Sequence, residues 1–301
     1  MIEFVGNFGL SHIQAAADLS ALTTFVMYGL LWQLIGPAWT KKRLLALAMA
    51  AVFPGEVFYF SIFPISLFVV LTLACLTLLS RRRYTWSGVA GAAAVWTYSA
   101  GILLLPVVLL FTSLFDHARH FGEWLQRSLR SAGSMVVAAT ALLIAYQSWV
   151  GKWNALFLVG EKYNEGAPIH SPFTLLRESF FGGPVGRFAV SELNTSFSYV
   201  ATKEQTGFVI ALVLLLAAGV GLSWRGSLTR VEILVAIYTA TFWILPLTQA
   251  GSTALYRAEG LLVPCVVLLK RLPVALLAAL VVIAGFIAYQ VAALSFQFDL
   301  G

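Results

Sequence analysis

The sequence predicts an all-α fold, a polytopic bundle of about eight or nine transmembrane segments in which some helices are broken or half-length. Three observations predict it. Sixty per cent of the 301 residues are apolar and 11% are charged, whereas a soluble domain carries about 25% charged residues. Apolar runs of membrane-spanning length recur along the chain, and the basic residues fall in short clusters between them. A surface this poor in charge indicates contact with lipid.

Seven apolar runs approach the roughly 20 residues that a helix needs to cross a bilayer. They lie near 17–38, 44–62, 64–80, 132–150, 207–224, 231–249 and 272–295. The run 86–115, which contains Gly101 and Pro106, predicts one broken helix or two short helices that meet near Gly101. The run 258–269 is too short to span alone, and Pro264 interrupts it. Because interrupted helices are tolerated only where they are buried or line a cavity, these two runs suggest a site.

The distribution of basic residues predicts the orientation. Thirteen of the 19 Lys and Arg residues lie in short loops that we place in the cytoplasm. They are Lys41, Lys42, Arg43, Arg81, Arg82, Arg83, Arg119, Arg127, Arg130, Arg225, Arg230, Lys270 and Arg271. This arrangement puts the N-terminus outside and makes 151–206 an extracytoplasmic loop within a single transmembrane domain, residues 1–301. The amphipathic segment 116–130 is expected on the cytoplasmic membrane interface.

Several classes of protein are disfavoured. The formal charge of +6 is not arranged as a basic face with interleaved aromatic residues, so nucleic acid is not expected as a partner. The chain has no phosphate-binding glycine loop, no zincin histidine pair and no G-x-S-x-G motif. Cys75 and Cys265 lie inside apolar runs and are interpreted as packing residues. We predict no metal site and no cofactor, and leave the question of a divalent cation open.

Polar residues interrupt the apolar pattern at three places. Glu56 lies in the segment 53–61 at the outer end of the second run, where it either faces a cavity or is a hydrated residue of a Pro-Gly turn. Arg257 and Glu259 flank the start of the short run, as site residues or as a local ion pair. Tyr98 lies at the expected break, as a site residue or an interfacial tyrosine. We expect Glu56, Tyr98 and Arg257 to converge on one cavity that opens to the outer face.

These residues carry a resemblance to a known family. Phe53-Pro54, Phe58-Tyr59, Ser61, Phe63 and Ser66-Leu67-Phe68 are followed by a span, a basic cluster and a span rich in small residues. Thr97, Gly101, Leu103, Leu104 and Pro106 fit a second motif, and Tyr256-Arg257 followed by Pro264 fits a third with the first two residues reversed. Over about residues 7–275 the chain resembles the PIG-V-type mannosyltransferases, membrane glycosyltransferases of the GT-C class.

The chain also departs from that family. Ile65 occupies the position of a family Glu, and Tyr98 occupies that of a family Arg. The catalytic Asp that GT-C enzymes carry in an early W-D-x-x-W-Y context has no counterpart here. The chain is therefore expected to lack an N-terminal portion and to be catalytically incomplete as given. Three explanations stay open: a truncated sequence, a separate partner chain that supplies the missing part, or a non-catalytic relative.

The resemblance implies transfer of a sugar, mannose, from a polyprenyl-phosphate donor to a lipid-linked acceptor on the outer face. Such a reaction needs a carboxylate as base and a cation for the departing phosphate. Glu56 and Glu259 are the candidate bases, Arg257 is the candidate phosphate partner, and Tyr256, Tyr98, Ser61 and Ser66 are candidate substrate-binding residues. Alanine-rich spans favour a bacterial cell membrane over the endoplasmic reticulum.

Two other classes of function stay open. A small-molecule or lipid transporter would also have broken helices around a central site, although no inverted repeat is visible and the span centres carry no charge. A non-catalytic GT-C-like subunit would agree with the missing Glu and Arg.

The orientation can be tested by labelling. A cysteine placed at Glu161 should react with a membrane-impermeant reagent added to intact cells, whereas one placed at Arg82 should react only after lysis. The opposite labelling pattern would contradict the predicted topology.

Overall fold

The described part of the chain is entirely helical. A computed structural model describes residues 12–36, 38–60, 64–115, 120–155, 158, 195–223, 228–249 and 259–299. Most of the predicted loop 151–206 and the first residues of segment 116–130 lie outside these ranges. Within them there is no β-strand, so the all-α prediction is confirmed for this part of the chain.

The α-helices are α1 His12–Ile35, α2 Lys41–Ala51, α3 Val57–Phe60, α4 Ile65–Ser80, α5 Tyr84–Thr97, α6 Leu104–Leu114, α7 Phe121–Val150, α8 Thr195–Ser223, α9 Arg230–Gln249, α10 Val266–Leu269 and α11 Val274–Asp299. Two 3₁₀ helices, Ser99–Leu103 and Gly260–Cys265, precede α6 and α10. Within the described residues, four helical stretches are long and apolar enough to cross a membrane: Gln14–Ile35, Phe121–Val150, Glu204–Leu222 and Val274–Ala293. These four stretches support the prediction that the chain is a membrane protein.

The long run 86–115 forms two short helices. Gly88 and Gly91 of α5 face Ser131 and Met135 of α7, so α5 and α7 run in the same direction. Thr112, near the end of α6, lies 3.2 Å from Ser128 near the start of α7, so α6 runs the opposite way. Between them the chain reverses at Gly101, where a Cβ would lie 2.6 Å from the backbone nitrogen of Val95. Of the two predicted alternatives, two helices meeting near Gly101 is therefore the one observed.

The run 44–62 is not one continuous helix, and on this point the sequence prediction is wrong. Helix α2 ends at Ala51, and Phe53–Glu56 form a turn before the single turn of α3. Pro54 cannot donate a helical hydrogen bond, and Gly55 adopts a φ of 84°, which a side chain would disfavour. The turn therefore divides the run into two short helices.

The prediction for the short run 258–269 is confirmed over its described residues, because they are enclosed by protein. Every residue from Glu259 to Leu269 is buried. We call Gly260–Leu269, the second 3₁₀ helix plus α10, the half-helix. It contacts α1, α2, α4, α8 and α9, and neighbouring helices shield its irregular backbone from lipid.

The basic clusters come together at one end of the bundle, which we call the basic end. Arg81 donates to Gln33 over 3.1 Å, Arg230 donates to the carbonyl of Leu79 over 3.3 Å, and Arg127 lies over the ring of Tyr84. Arg271 forms an ion pair with the buried Glu232, whose hydrogen bonds raise the pKa of the guanidinium. These contacts connect helix ends that the distribution of basic residues predicts to lie on one face of the membrane.

Helix α7 combines the amphipathic segment with the span that follows it. Residues 121–130 continue directly into the predicted span 132–150, in one helix of 30 residues. At 1.5 Å per residue this helix is about 45 Å long, and it exceeds the roughly 30 Å hydrocarbon core. No proline interrupts it, so its amphipathic first turns extend beyond the apolar part of the bundle.

Close packing between α5 and α7 can be tested at glycine. A Cβ on Gly88 would lie 2.5 Å from the Ser134 hydroxyl and 2.7 Å from the Ser131 carbonyl oxygen, whereas a Cβ on Gly133 would meet nothing within 4 Å. Gly88→Ala should therefore destabilise the protein by about 1–3 kcal/mol, the usual cost of overpacking. Gly133→Ala, on the open face of the same contact, should not. Thermal unfolding in detergent compares the two, and equal melting temperatures would contradict this packing.

Candidate functional site

The end of the bundle opposite the basic end is organised by a contact between two glycines. A Cβ on Gly260 would lie 3.3 Å from the carbonyl oxygen of Gly55, which is tighter than an ordinary side-chain contact. Gly260 therefore lets the half-helix approach the turn that precedes α3. Glu56 follows one glycine and Glu259 precedes the other, so the two candidate bases occupy the same region of the molecule.

Two tyrosines satisfy the backbone of the half-helix. In this 3₁₀ helix the N–H of residue 264 would donate to the carbonyl of Leu261, but Pro264 has no N–H. The hydroxyl of Tyr238 donates to the Leu261 carbonyl over 2.6 Å, and that of Tyr59 donates to the Gly260 carbonyl. Both tyrosines are fully buried. They attach α9 and α3 to the half-helix where its own hydrogen bonding is interrupted.

Glu259 is a buried carboxyl group held by polar but uncharged partners. Its exposed fraction is 3%, and it accepts a hydrogen bond from the Gln205 amide over 2.6 Å and another from Thr206. Among the described residues it forms no ion pair. The hydrogen bonds fix the early part of α8 against the start of the half-helix. A buried carboxyl group in a membrane-embedded segment is a usual mark of function.

Glu56 is only half-buried. The Phe53–Glu56 turn places it, with its N–H donating to Phe53 over 2.9 Å and its carbonyl accepting from Tyr59 over 2.8 Å. The hydroxyl of Tyr28, on α1, lies within electrostatic range of the carboxylate and is also half-buried. Glu56 is therefore the more accessible of the two carboxyl groups, and an aromatic ring lies near it.

Other predicted site residues have different surroundings. Ser66 is buried and accepts a hydrogen bond from Thr23 over 2.9 Å, so it joins α4 to α1. Tyr98 ends α5, and its ring centroid lies 5.6 Å from that of Phe68. Ser61, Tyr256 and Arg257 lie outside the described residues. The convergence of Glu56, Tyr98 and Arg257 therefore stays a prediction.

Four residues of this region were missed by sequence reasoning. Tyr28 and Tyr238 lie inside apolar helices, where a tyrosine does not interrupt the pattern. Gln205 and Thr206 lie at the boundary between a polar loop and a span, so they were assigned to the loop. In the described ranges no group of three or more His, Cys, Asp and Glu residues is placed to hold a metal ion.

No protein-family model, no curated protein and no solved structure matches this chain. The resemblance to the PIG-V-type mannosyltransferases thus rests on the motif residues alone. What the site does has to follow from its own geometry.

The role of Tyr238 can be tested by a double-mutant cycle. Tyr238→Phe leaves the Leu261 carbonyl without its donor and should destabilise the protein by about 1–3 kcal/mol. In a Pro264→Ala background, residue 264 regains an N–H that can serve this carbonyl, so the same change should cost less. Unfolding in detergent measures all four proteins. Equal costs in both backgrounds would show that the tyrosine does not replace the donor that proline lacks.

Proposed function

We propose that the protein is a membrane glycosyltransferase of the GT-C class, with about eight or nine membrane segments. It transfers a sugar, mannose, from a polyprenyl-phosphate donor to a lipid-linked acceptor on the outer face of a bacterial cell membrane. The observation that supports this function best is the half-buried Glu56 beside Tyr28, in a turn that packs on a buried half-helix.

The structural positions of the two carboxyl groups support different roles. A general base must reach the acceptor hydroxyl, and Glu56 is the accessible group. Glu259 is enclosed and already accepts from Gln205, so it positions the half-helix and the chain that enters it. Glu56 is therefore the base in this proposal, and Glu259 is a positioning residue.

The departing lipid phosphate needs a cation, and Arg257 is the proposed partner. It precedes Glu259 by two residues, which span at most about 7 Å of extended chain. This closeness in sequence to the buried Glu259 supports Arg257 as the phosphate partner. A polyprenyl-phosphate donor requires no nucleotide-binding motif, and its prenyl chain can approach from the lipid around the bundle.

One observation favours the second candidate function, a non-catalytic GT-C-like subunit. Ile65, at the position of a family Glu, is completely buried in the apolar core at the start of α4. The family's carboxylate therefore has no equivalent at this position. Such a subunit would bind the lipid-linked sugar beside a separate catalytic chain.

The proposal is tested by assaying purified protein with polyprenyl-phosphate mannose and mixed lipid acceptors. Glu56→Gln should lower transfer by about 10²–10⁴-fold, the usual contribution of a general base. Glu259→Gln should lower both the melting temperature and transfer. Glu204→Gln is the matched control, because Glu204 is exposed and adjoins Gln205, and it should change neither.

Full transfer by Glu56→Gln would refute the role of this residue. Binding of the donor without turnover by the unmodified protein would instead support the non-catalytic subunit. If the protein moves a lipid-linked sugar across vesicles without transferring it, the transporter hypothesis replaces both.

A further inference from the structure

We propose that an aqueous path leads from the outer face to Glu56 and Tyr28 at about the middle of the membrane, and that the acceptor hydroxyl is bound there. The use of the path by an acceptor rests on the proposed function, whereas the path itself does not. The depth of the two side chains, their partial exposure and the unequal packing on their two sides support the path.

Helix α1 shows how deep the turn Phe53–Glu56 lies. The hydroxyl of Thr24 donates to the carbonyl of Tyr59, three residues after the turn, over 3.0 Å. Thr24 is the eleventh of the 22 residues in the span Gln14–Ile35. At 1.5 Å per residue, about 15 Å of helix lies on each side of it, which is half the roughly 30 Å thickness of the hydrocarbon core. Although the turn lies away from the basic end, the spanning helix continues well beyond it.

Helix α11 places the turn at the same depth. A Cβ on Gly285 would lie 3.8 Å from a methyl group of Val52, the residue just before the turn. Gly285 is the twelfth of the 20 residues in the span Val274–Ala293. The helix that leads into the turn agrees, because α2 begins at Lys41 at the basic end and its 11 residues rise only about 16 Å. The turn therefore lies near the middle of the membrane.

Two polar side chains are partly exposed at this depth. Glu56 is half-buried, and so is Tyr28, which follows Thr24 by one turn on the same face of α1. Carboxyl groups in membrane-spanning regions almost always face the protein interior or a water-filled cavity, because contact with lipid costs a few kcal/mol. The lipid-facing side of α1 at this depth is marked instead by Phe25, which is 77% exposed. The exposed parts of Glu56 and Tyr28 therefore face water.

Apolar packing closes the way from the turn to the basic end. Between Tyr28 and that end, the buried residues of α1 and α2 all have apolar side chains, and none is more than 5% exposed. They are Leu31, Leu34, Ile35, Ala46, Met49 and Ala50. Interiors packed in this way leave no room for water, so water that reaches Glu56 does not enter from the basic end.

Polar side chains are found at the level of the turn and on its outer side. Ser20 and Thr23 are buried hydroxyl residues in the first half of α1, and Thr23 donates to Ser66 at the start of α4 over 2.9 Å. Gln205 donates to Glu259, next to the glycine that contacts the turn, over 2.6 Å. These groups can form hydrogen bonds with water, so the outer half of the bundle suits an aqueous path.

Cysteine labelling with a charged, membrane-impermeant thiosulfonate tests the path. Glu56→Cys and Tyr28→Cys should react when the reagent is added outside intact cells, because the reactive thiolate forms in water and not in lipid. Phe25→Cys is the matched control, since it lies at the same depth with its side chain on the lipid side, and it should react at least about tenfold more slowly. Cys75 and Cys265 are buried, so the unmodified protein gives the background.

The transfer assay measures whether an acceptor uses the path. Labelled Tyr28→Cys should transfer at least about tenfold less sugar than the same variant before labelling, because the adduct occupies the place of the hydroxyl beside the base. Phe25→Cys treated with the same reagent should keep its activity. Absence of transfer by the unmodified protein would refute the proposed function and the acceptor with it, while the labelling pattern would still decide whether the path exists.

Three results would overturn the proposal. Equal labelling rates for Glu56→Cys and Phe25→Cys would mean that the site does not face water at a depth where its neighbour faces lipid. Labelling only after lysis would mean that water enters from the basic end. Full transfer by labelled Tyr28→Cys would mean that the acceptor does not use the path. If Tyr28→Cys unfolds, Glu56→Cys gives the labelling comparison, and protection of its thiol by the lipid acceptor replaces the transfer measurement.

Discussion

A single missing hydrogen-bond donor constrains the architecture of this bundle. Pro264 lies in the middle of the half-helix and cannot donate to the carbonyl of Leu261, three residues before it. In a membrane a bare carbonyl costs several kcal/mol, because water is not there to replace the donor. Tyr238 and Tyr59 supply hydroxyl groups to Leu261 and Gly260. The half-helix is tolerated because two other segments are attached to it at these points.

That requirement also determines where the candidate site lies. Tyr59 reaches Gly260 because the turn Phe53–Glu56 ends α2 early and directs the short α3 toward the half-helix. The same turn brings Gly55 against Gly260 and places Glu56 beside Tyr28. The irregular backbone and the accessible carboxyl group therefore have one origin, the close approach of two interrupted segments that neighbouring helices enclose.

The sequence predicts those features that depend on local pattern and composition. The scarcity of charge, the grouping of basic residues at one end, the break near Gly101 and the burial of the run ending at Leu269 follow from length, polarity and helix breakers. It does not predict that the run 44–62 is divided into two helices. The run stays apolar through Pro54-Gly55, so its hydropathy gives no sign of the turn there. Nor does it predict the pairing of Gln205 with Glu259, residues 54 positions apart on different segments. Such pairs depend on tertiary packing, which the periodicity of a sequence does not reveal.

The half-helix is fixed at both of its ends by a buried glutamate, and the two glutamates differ in a way that bears on function. At the basic end Glu232 meets Arg271 and Lys270, so its negative charge is more than neutralised. At the other end Glu259 meets the neutral side chains of Gln205 and Thr206, and no ion pair reaches it from the described residues. A neutral amide orients a carboxyl group without compensating its charge. The two ends of the half-helix are therefore held by different means, by ion pairs of Glu232 with Arg271 and Lys270 at the basic end and by neutral hydrogen bonds of Glu259 with Gln205 and Thr206 at the other.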